Sequence, residues 1–598
     1  MKLFRCTETS ILLAGALLLG GCSSPEPPEI IPEPSSVKVL RGHCPVGTVP
    51  EETLDPALAG RIGEEGYILK VSGKSISIKA ATGAGAFYAR KTLDQLRDSD
   101  GFRCAIIQDR PRFAYRGFHL DVSRHFLDKA EIEKLIDAAA AYKFNQFHFH
   151  LTDNGGWRLQ IDSYPLLTEK GAYRVMKDWD GWWKMDRRLF CDKDTPGAYG
   201  GYYTKEDIRE IVAYAAARHI NVIPEIEFPA HSDAVFVGYP ELSCEKKPYG
   251  CGEFCPAEPR VYEFAEAVLG EVMDLFPSKV IHIGADEARK HSWEKCPACK
   301  ALMEKEGMTS TEELQTYMVS RIAEILRKGG RTMAGWDELL KNNNLAPETV
   351  VYSYRGEKGG IRAANRGLKA VMTPGEILYC DWYQASPEYE DKAMYGYSPI
   401  KKMYRFFPVP DTPEKAAANE SLIEAKKVSP DSVEFIRPEM GVNVIGVQGC
   451  TWAEYIPTDG HREYMMFPRL LAVAEIAWTD EGNISWDNFR TKIPAHLERL
   501  RAMGINAYDL HNAPEVTYTG GLVRMESENP LAEVRYTLDG GEPAPDSPVF
   551  EKPFPVTGAV TVRAASFLDG ERVSYIRSTE IVEGTDVEDY YPLTYYPS

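Results

Sequence analysis

Residues 280–287 read Val-Ile-His-Ile-Gly-Ala-Asp-Glu, and the interpretation of the whole chain depends on this octet. Its first half is a short apolar run, which is typical of a buried strand. It ends in two adjacent carboxylates, Asp286 and Glu287, which are costly to place in an apolar interior. The octet alone leaves two alternatives open: acidic residues that cap the next helix, or a functional pair at a strand end.

Strands and helices alternate on both sides of the octet. Strands are predicted at 115–122, 145–151, 221–226, from 280, and at 331–335, 350–354, 369–373 and 444–449, with helices at 129–142, 205–219, 260–275 and 311–328. Eight such units predict an α/β fold, a closed (β/α)8 TIM barrel over residues 110–510. In this fold, functional residues lie where the strands end.

Two smaller domains flank the predicted barrel. Residues 37–109 predict an N-terminal α+β domain, because alternating segments at 67–71 and 76–80 enclose a turn and a helical pattern follows at 83–96. Residues 515–585 lack a helical period and contain short alternating segments with tight turns. This pattern predicts a small C-terminal β-sandwich.

The N-terminus has the character of a targeting segment. A basic start with Lys2 and Arg5 precedes an apolar core that is too short to span a bilayer, and Leu-Gly-Gly-Cys follows at 19–22. This tetrad resembles the bacterial lipobox, which implies a signal peptide at 1–21 and lipidation of Cys22. Residues 22–36 are then expected to be an extended tether. We expect a protein anchored by lipid to a bacterial membrane, periplasmic or at the cell surface; the alternative is an ordinary signal peptide.

The net charge of the chain limits the kinds of partner that it is expected to bind. The formal net charge of −19 argues against nucleic acid or an anionic membrane surface as a partner, because phosphates would be repelled. It is compatible with a neutral or cationic substrate. The lipid anchor would then be the contact with the membrane.

The cysteines leave two alternatives open. Of the 12 cysteines, Cys6 would be lost with the signal peptide and Cys22 lipidated, and five others cluster in the sequence: Cys244, Cys251, Cys255, Cys296 and Cys299. Disulfides are the default in an exported chain. The Cys-Pro-Ala-Cys segment at 296–299 could instead join the others around a structural zinc, although the spacings do not match a standard zinc ribbon.

Charged and aromatic residues follow nearly every predicted strand. They are Arg116, Asp121, His148, His150, Asp153, Trp157, Glu225, Glu227, His231, Asp286, Glu287, Trp336, Asp337, Glu338, Tyr354, Tyr379, Asp381, Trp452 and Glu454. A sugar site requires this mixture, because ring faces stack on aromatic side chains while hydroxyls need charged acceptors and Arg donors. Cleavage of a glycosidic bond also requires a carboxylic acid that protonates the leaving oxygen.

Six segments in order, 116–126, 148–157, 223–231, 282–287, 335–338 and 451–454, resemble glycoside hydrolase family 20, the β-N-acetylhexosaminidases. The resemblance implies an exo-acting, retaining enzyme that removes terminal β-linked GlcNAc or GalNAc from a glycan. In this family the substrate's own acetamido group assists catalysis, and the product of that attack is an oxazolinium intermediate. No cofactor and no metal are expected in the site.

The resemblance also implies roles for individual residues. Glu287 would be the general acid and then the general base, and Asp286 would hold the acetamido N–H. Adjacent strand residues point to opposite faces, so the pair can cooperate only if the backbone turns at 284–285. The other implied contacts are ring hydroxyls for Arg116, the acetamido oxygen for Tyr379, the pocket walls for Trp336, Tyr354 and Trp452, sugar hydroxyls for Asp381 and Glu454, and orientation of the acidic pair for Asp153, Glu227 and His231.

The chain departs from the family pattern at several positions. Ala285 and Ala230 stand where Gly is usual, Glu227 where Asp is usual, and Tyr354 at a position that is commonly Trp. Asn154-Gly155 replaces the usual Asp-Gln. Because the acidic pair itself is intact, we interpret these changes as tuning and expect activity to be retained.

Two other functions compete with a glycosidase. The first is a metal-dependent hydrolase, since His148, His150, His231 and His282 follow successive strands as ligands do in metal-containing barrels. The second is a non-catalytic glycan-binding protein on a degenerate enzyme fold. The intact Asp286–Glu287 pair argues against the second.

Overall fold

The structure is a computed structural model that describes residues 27–385, 387, 390–510 and 514–588. Its centre is a closed barrel of eight parallel strands. In chain order they are β1 (Tyr115–Asp121), β2 (Gln146–His150), β3 (Asn221–Phe228), β4 (Val280–Gly284), β5 (Thr332–Trp336), β6 (Val350–Ser353), β7 (Lys369–Met372) and β8 (Val444–Thr451). The prediction of a (β/α)8 barrel is confirmed, and β8 closes it by pairing with β1.

Helices connect the strands and cover the outside of the barrel. The longer ones are Lys129–Ala141, Lys205–Ala216, Pro259–Leu275, Pro297–Glu306, Thr311–Lys328, Lys358–Asn365, Pro413–Glu424, Asp459–Met466, Arg469–Trp478 and Trp486–Ala502. The helix at 205 begins with a capping box, in which the Thr204 side chain and Asp207 each bond the other's backbone N–H. The predicted helix at 311–328 has the same bounds in the structure.

The N-terminal domain has the predicted α+β form. Its strands are Ser36–Cys44, Glu51–Leu54, Tyr67–Ser72, Ser75–Ala80, Arg97–Asp98 and Gly101–Asp109, and its helices are the short Ala59–Ile62 and the longer Gly83–Gln95. The predicted hairpin is present, because Tyr67–Ser72 pairs antiparallel with Ser75–Ala80. The domain contacts the N-terminal end of the barrel, where Lys143 of the barrel donates a hydrogen bond to Asp109 of the domain at 2.9 Å.

The expectation of an extended tether through residue 36 is wrong for its described part. Ile30 and Ile31 are buried in the main hydrophobic core. The Ile31 N–H donates to Gln95 Oε1 at 2.9 Å, and Lys492 forms an ion pair with Glu33. The segment is rich in proline and acidic residues, so its sequence resembles a linker. Burial of the two isoleucine side chains nevertheless favours packing of this segment against the core. The predicted lipidation site, Cys22, lies outside the described residues.

The C-terminal region is β-rich, as predicted. One sheet contains Glu515–Thr519, Leu522–Glu526 and Phe554–Pro555, and the other contains Glu533–Thr537, Ala559–Leu568, Glu571–Arg572 and Arg577–Val582. A small core that includes Val523 and Val562 lies between them. Lys401 joins this region to the barrel by ion pairs with Glu515 and Glu526.

Among the described residues, no helix has the length and apolar character needed to cross a membrane.

Candidate active site

The backbone turns sharply at the end of β4. Gly284, Ala285 and Glu287 all have positive φ, at 66°, 71° and 51°. These left-handed residues interrupt the alternation of the strand, so Asp286 and Glu287 line one cavity although they are adjacent. The predicted turn is therefore confirmed. Glycine suits position 284, because φ is positive there and a Cβ would lie 2.0 Å from Oε2 of Glu227 where that side chain now stands.

A cavity of about 410 Å³ opens at the C-terminal ends of the barrel strands. Most of the predicted site residues line it. They are Asp153, Glu227, His231, Asp286, Glu287, Trp336, Tyr354, Tyr379, Asp381, Trp452 and Glu454. Side chains from the C-terminal ends of the barrel strands and from the loops after them, including the loop after β7 that carries Tyr379 and Asp381, thus converge on one volume, as a TIM-barrel site requires.

The prediction that Arg116 binds the sugar is wrong. This residue begins β1, so it lies at the N-terminal end of the barrel, and its side chain is 1% exposed. Its guanidinium donates to Glu65 of the N-terminal domain at 2.8 and 2.9 Å and to the Phe113 carbonyl at 2.8 Å. All strands of a parallel barrel point the same way, so a residue that starts a strand faces away from the site.

Arg124, eight residues later in the same motif, lines the cavity. Its guanidinium lies 2.8 Å from Asp153, 3.2 Å from Asp121 and 3.6 Å from Glu454. It also lies over the Trp452 ring, 5.1 Å from the ring centre. The rule that site residues follow strand ends would have selected Arg124, because β1 ends at Asp121.

Several other lining residues were not predicted. Arg355, Glu376, Trp382 and Met394 border the cavity, and Trp382 directly follows a predicted site residue, Asp381. Glu338, which the strand-end list contained without a role, accepts the Glu287 backbone N–H at 2.9 Å. This bond fixes the backbone of the acidic pair.

The two adjacent carboxylates have opposite environments. The Asp286 side chain is 10% exposed, and burial, reinforced by Glu287 and Glu225, raises its pKa to about 7. The Glu287 side chain is 54% exposed, and hydrogen bonding by His231 lowers its pKa. His231 Nε2 lies 3.6 Å from Asp286 and 3.5 Å from Glu287, so a single imidazole contacts both acids.

A layer of charged side chains supports the pair from below. Burial and the nearby Asp286 raise the pKa of Glu227 well above its usual value. The pKa of Asp153 is lowered, because Arg124 and His231 outweigh the effect of its burial. Asp153 in turn raises the pKa of His231 against the effect of burial, which favours the protonated form of this imidazole.

Aromatic rings form the remaining walls. The Trp336 ring centre lies 5.4 Å from that of Tyr354 and 5.7 Å from that of Trp452, and Tyr379 lies 6.0 Å from Trp452. The Trp336 indole N–H donates to Glu225 at 2.9 Å, which fixes the ring orientation. Such walls suit the apolar faces of a sugar and an acetamido methyl group.

Several buried carboxylate oxygens at this site have no hydrogen-bond partner within the described part of the chain. They are Oε2 of Glu227, Oδ1 of Asp286, Oδ1 of Asp381 and Oε2 of Glu454. A buried acceptor without a donor is costly, so such atoms mark positions where a ligand's hydroxyl or N–H groups would bind.

Sequence comparison places the chain in a family. The model of "Glycosyl hydrolase family 20, catalytic domain" matches residues 113–481, with "Glycosyl hydrolase family 20, domain 2" at 49–110 and "Chitobiase/beta-hexosaminidase C-terminal domain" at 513–578. The chain belongs to glycosyl hydrolase family 20. The matched residues 113–481 contain the barrel strands and the residues that line the cavity. The protein is a β-hexosaminidase of this family.

Individual relatives agree with this assignment. The "Beta-hexosaminidase" of Porphyromonas gingivalis is 35% identical over 91% of this chain and 68% of its own, and that of Akkermansia muciniphila is 32% identical over 78% and 90%. A solved exo β-N-acetylglucosaminidase from Vibrio harveyi, in complex with N-acetylglucosamine, matches with a TM-score of 0.67 and 30% identity. That match covers 81% of this chain and 80% of the other.

The histidines that suggested a metal-dependent hydrolase do not form one cluster at the cavity of this family 20 enzyme. His148 and His282 are fully buried in the barrel interior, where they lie 3.2 and 2.7 Å from Glu225. His150 and His231 border the cavity and contact Asp153. Glu225 therefore gathers His148, His150 and His282 beneath the pocket.

A second cavity of about 540 Å³ adjoins the first on the exposed side of Glu287. The two share Arg124, His231, Glu287, Met394 and Glu454. The lining particular to the second includes Trp179, Trp183, Arg188, Lys392 and Tyr455. Glu287 thus stands at the boundary between the first cavity and a second one of larger volume, which several charged side chains line.

Proposed function

We propose that this β-hexosaminidase is an exo-acting, retaining β-N-acetylhexosaminidase that removes terminal β-linked GlcNAc or GalNAc from glycans. The observation that carries the proposal is the arrangement of a buried Asp286 beside a half-exposed Glu287 at the mouth of an aromatic pocket. A retaining enzyme with its own nucleophile needs two carboxylates on opposite sides of the bond, about 5 Å apart. Family 20 is an exception to this rule, because the acetamido group of the substrate supplies the nucleophile.

In the first step, Glu287 protonates the leaving glycosidic oxygen while the acetamido oxygen of the sugar attacks its own C1. The bond to the leaving group breaks, and an oxazolinium ion forms. Asp286 accepts a hydrogen bond from the acetamido N–H and stabilises the positive charge that develops there. Tyr379 donates to the acetamido oxygen, which orients it for attack.

In the second step, Glu287, now a carboxylate, removes a proton from water. The water attacks C1 from the side that the leaving group vacated, so the β configuration is retained. Hydrogen bonding by the imidazole of His231 lowers the pKa of Glu287 in the free enzyme, which opposes its role as an acid. A bound sugar would cover the exposed half of this carboxyl, and desolvation raises a carboxyl pKa, which favours the protonated form.

The remaining side chains fit the roles of binding groups. Asp381 and Glu454 each have a buried oxygen that no other described residue hydrogen-bonds and that could accept from a sugar hydroxyl, with Arg124 as the cationic donor beside Glu454. The deep pocket suits a single terminal sugar, and the second cavity beyond Glu287 suits the leaving group. A pocket of about 410 Å³ that holds a single sugar favours removal of one terminal residue at a time.

Substrate assistance is tested with aryl glycosides whose N-acetyl group carries zero, one, two or three fluorine atoms. Fluorine withdraws electrons from the acetamido oxygen, so kcat should fall steadily along the series. In Asp286→Asn, kcat should fall by about 10²–10³-fold, the range found when one charge-stabilising group is removed. A flat series together with undiminished Asp286→Asn turnover would exclude substrate assistance.

We also propose that the chain is a lipoprotein, exported by residues 1–21 and acylated at Cys22. Support comes from the basic start, the short apolar core and the Leu-Gly-Gly-Cys tetrad. The full chain, produced in a bacterium fed labelled palmitate, should carry label and enter the detergent phase. Cys22→Ser should lose both properties, and equal partition of the two proteins would exclude the anchor.

A further inference from the structure

Four cysteines from two loops meet beside the active site. Cys244 and Cys255 lie in the connection after β3, and Cys296 and Cys299 lie in the connection after β4. An antiparallel bridge between Ser243 and Phe254 brings the first pair together. The second pair is held by the start of helix Pro297–Glu306, with Cys296 at its N-cap.

The distances between the sulfurs match a shared metal ion. All four Sγ atoms lie within 4.8 Å of one another, and Cys299 Sγ lies 3.7 Å from both Cys244 Sγ and Cys255 Sγ. A disulfide would join one pair at about 2.05 Å. Zinc in a tetrahedron of thiolates, with Zn–S bonds of about 2.3 Å, holds its sulfurs about 3.8 Å apart.

The surroundings also suit a closed structural site. Cys255 and Cys299 are buried, and the cluster packs among apolar side chains that include Trp293 and Leu314. None of the ten cysteines in the described part of the chain is in a disulfide. The fifth cysteine of the sequence cluster, Cys251, is separate, with its Sγ directed to the Glu253 carbonyl at 3.6 Å.

We propose that Cys244, Cys255, Cys296 and Cys299 bind one zinc ion as a structural site. The four thiols would lose their protons to the solvent on binding, and the filled shell of four thiolates leaves no position for a substrate. This assignment replaces the disulfides that the sequence suggested as the default. It is independent of the chemistry proposed for Glu287 and Asp286.

The site would fasten together the two loops that carry the catalytic groups. Its apolar cluster contains Ala230, which precedes His231, and Ala288, which follows Glu287. Hydrogen bonds continue the connection: the Phe254 N–H donates to the Pro229 carbonyl, and the Trp293 indole N–H donates to the Phe254 carbonyl, both at 2.9 Å. Zinc would therefore fix the separation of His231 from the acidic pair.

The first test measures metal and thiols directly in the full chain, purified without added metal or reductant. We expect one zinc per chain by plasma mass spectrometry. When the protein is unfolded with chelator and then alkylated, all four cysteines should be labelled, because none of them is in a disulfide. Zinc-free protein with disulfides among these four cysteines would overturn the proposal. Cobalt exchanged into the site should give the absorption bands of a tetrahedral thiolate complex, and their absence from a cobalt-loaded protein would also contradict it.

The second test compares two Cys→Ser variants from the same region. Cys299→Ser should lose the zinc and melt at a lower temperature, whereas Cys251→Ser should keep both the zinc and the wild-type Tm. If Cys299→Ser does not fold, wild-type chain refolded with and without zinc replaces it, and only the first should regain the native Tm. Equal zinc content in the two variants, or refolding that does not depend on zinc, would overturn the site. Because metal content is measured without substrate, this outcome is distinguishable from a failure of the proposed glycosidase mechanism.

Discussion

At the N-terminal end of the barrel, all three guanidinium nitrogens of Arg116 donate hydrogen bonds to the surrounding protein. Its guanidinium bonds Glu65, the Phe113 and Lys143 carbonyls and the Tyr88 hydroxyl. At the C-terminal end, Arg124 also contacts several carboxylates. There, however, neighbouring acids keep buried oxygens without donors among the described residues.

The difference shows how one motif serves two purposes. Both arginines are buried and both are paired, so neither burial nor charge separates them. The difference is whether the carboxylate oxygens around each arginine all have hydrogen-bond donors among the described residues. The hydrogen-bonded network at Arg116 joins the N-terminal domain to the barrel. Near Arg124, carboxylate oxygens without a donor among the described residues could accept hydrogen bonds from a ligand.

The largest expected effect is at the unsatisfied end, in Glu287→Gln. An amide cannot donate the required proton, so kcat on a disaccharide should fall by about 10³-fold, within the range of a lost general acid. A dinitrophenyl glycoside, whose leaving group departs without protonation, should lose less in the first step. Steady-state and single-turnover kinetics measure both, and an equal loss on the two substrates would contradict the acid role.

Next in size is Arg124→Met, for which Arg116→Met is the matched control. Loss of one charged hydrogen-bonding group from a buried site should reduce kcat/KM by about 10²-fold. In the control, kcat/KM per folded molecule should stay near the wild-type value, because Arg116 lies at the other end of the barrel. The folded fraction is measured by circular dichroism, and comparable losses of kcat/KM would refute the division between the two ends.

A smaller effect is expected in the pH profile of His231→Gln. The mechanism needs Asp286 ionised, and its pKa of about 7 in the free enzyme places the acid limb of kcat/KM near neutrality. The imidazolium favours the ionised form, so its removal raises the pKa and moves the acid limb to higher pH. A limb that stays in place, or moves to lower pH, would show that His231 does not act on Asp286.

The smallest effect on turnover, but a clear one on stability, is expected for Arg116→Met itself. Removing one partner of a buried ion pair leaves Glu65 uncompensated, which costs about 3–5 kcal/mol of unfolding free energy. The double variant Arg116→Met/Glu65→Gln should recover part of this loss. Denaturant unfolding measures both, and an unchanged midpoint for the single variant would contradict a structural role.

The sequence predicted the barrel because its strands carry strong local signals. Each predicted strand lies within about two residues of the observed one, and the turn before Asp286 and Glu287 was expected at Gly284–Ala285. The same rule that places site residues after strand ends would have chosen Arg124, whereas the family resemblance was carried onto Arg116. An extended strand as long as β1 spans about 20 Å, so a shift from its end to its start exchanges the two ends of the barrel.

Other features could not be read from local pattern at all. The burial of Ile30 and Ile31 depends on contacts with Gln95 and Lys492, which are remote in sequence. The meeting of the four cysteines likewise depends on two loops that lie side by side only in the folded barrel. Long-range packing of this kind has no periodic signature.

The missing side chain at Gly284 constrains how this enzyme could have changed. Glu227, one methylene longer than the aspartate usual at its position, occupies the volume that any Cβ at 284 would need. The two positions are therefore coupled, and a residue larger than glycine at 284 would require the Glu227 carboxylate to rotate away or its side chain to be shortened, which would move a group that lines the pocket.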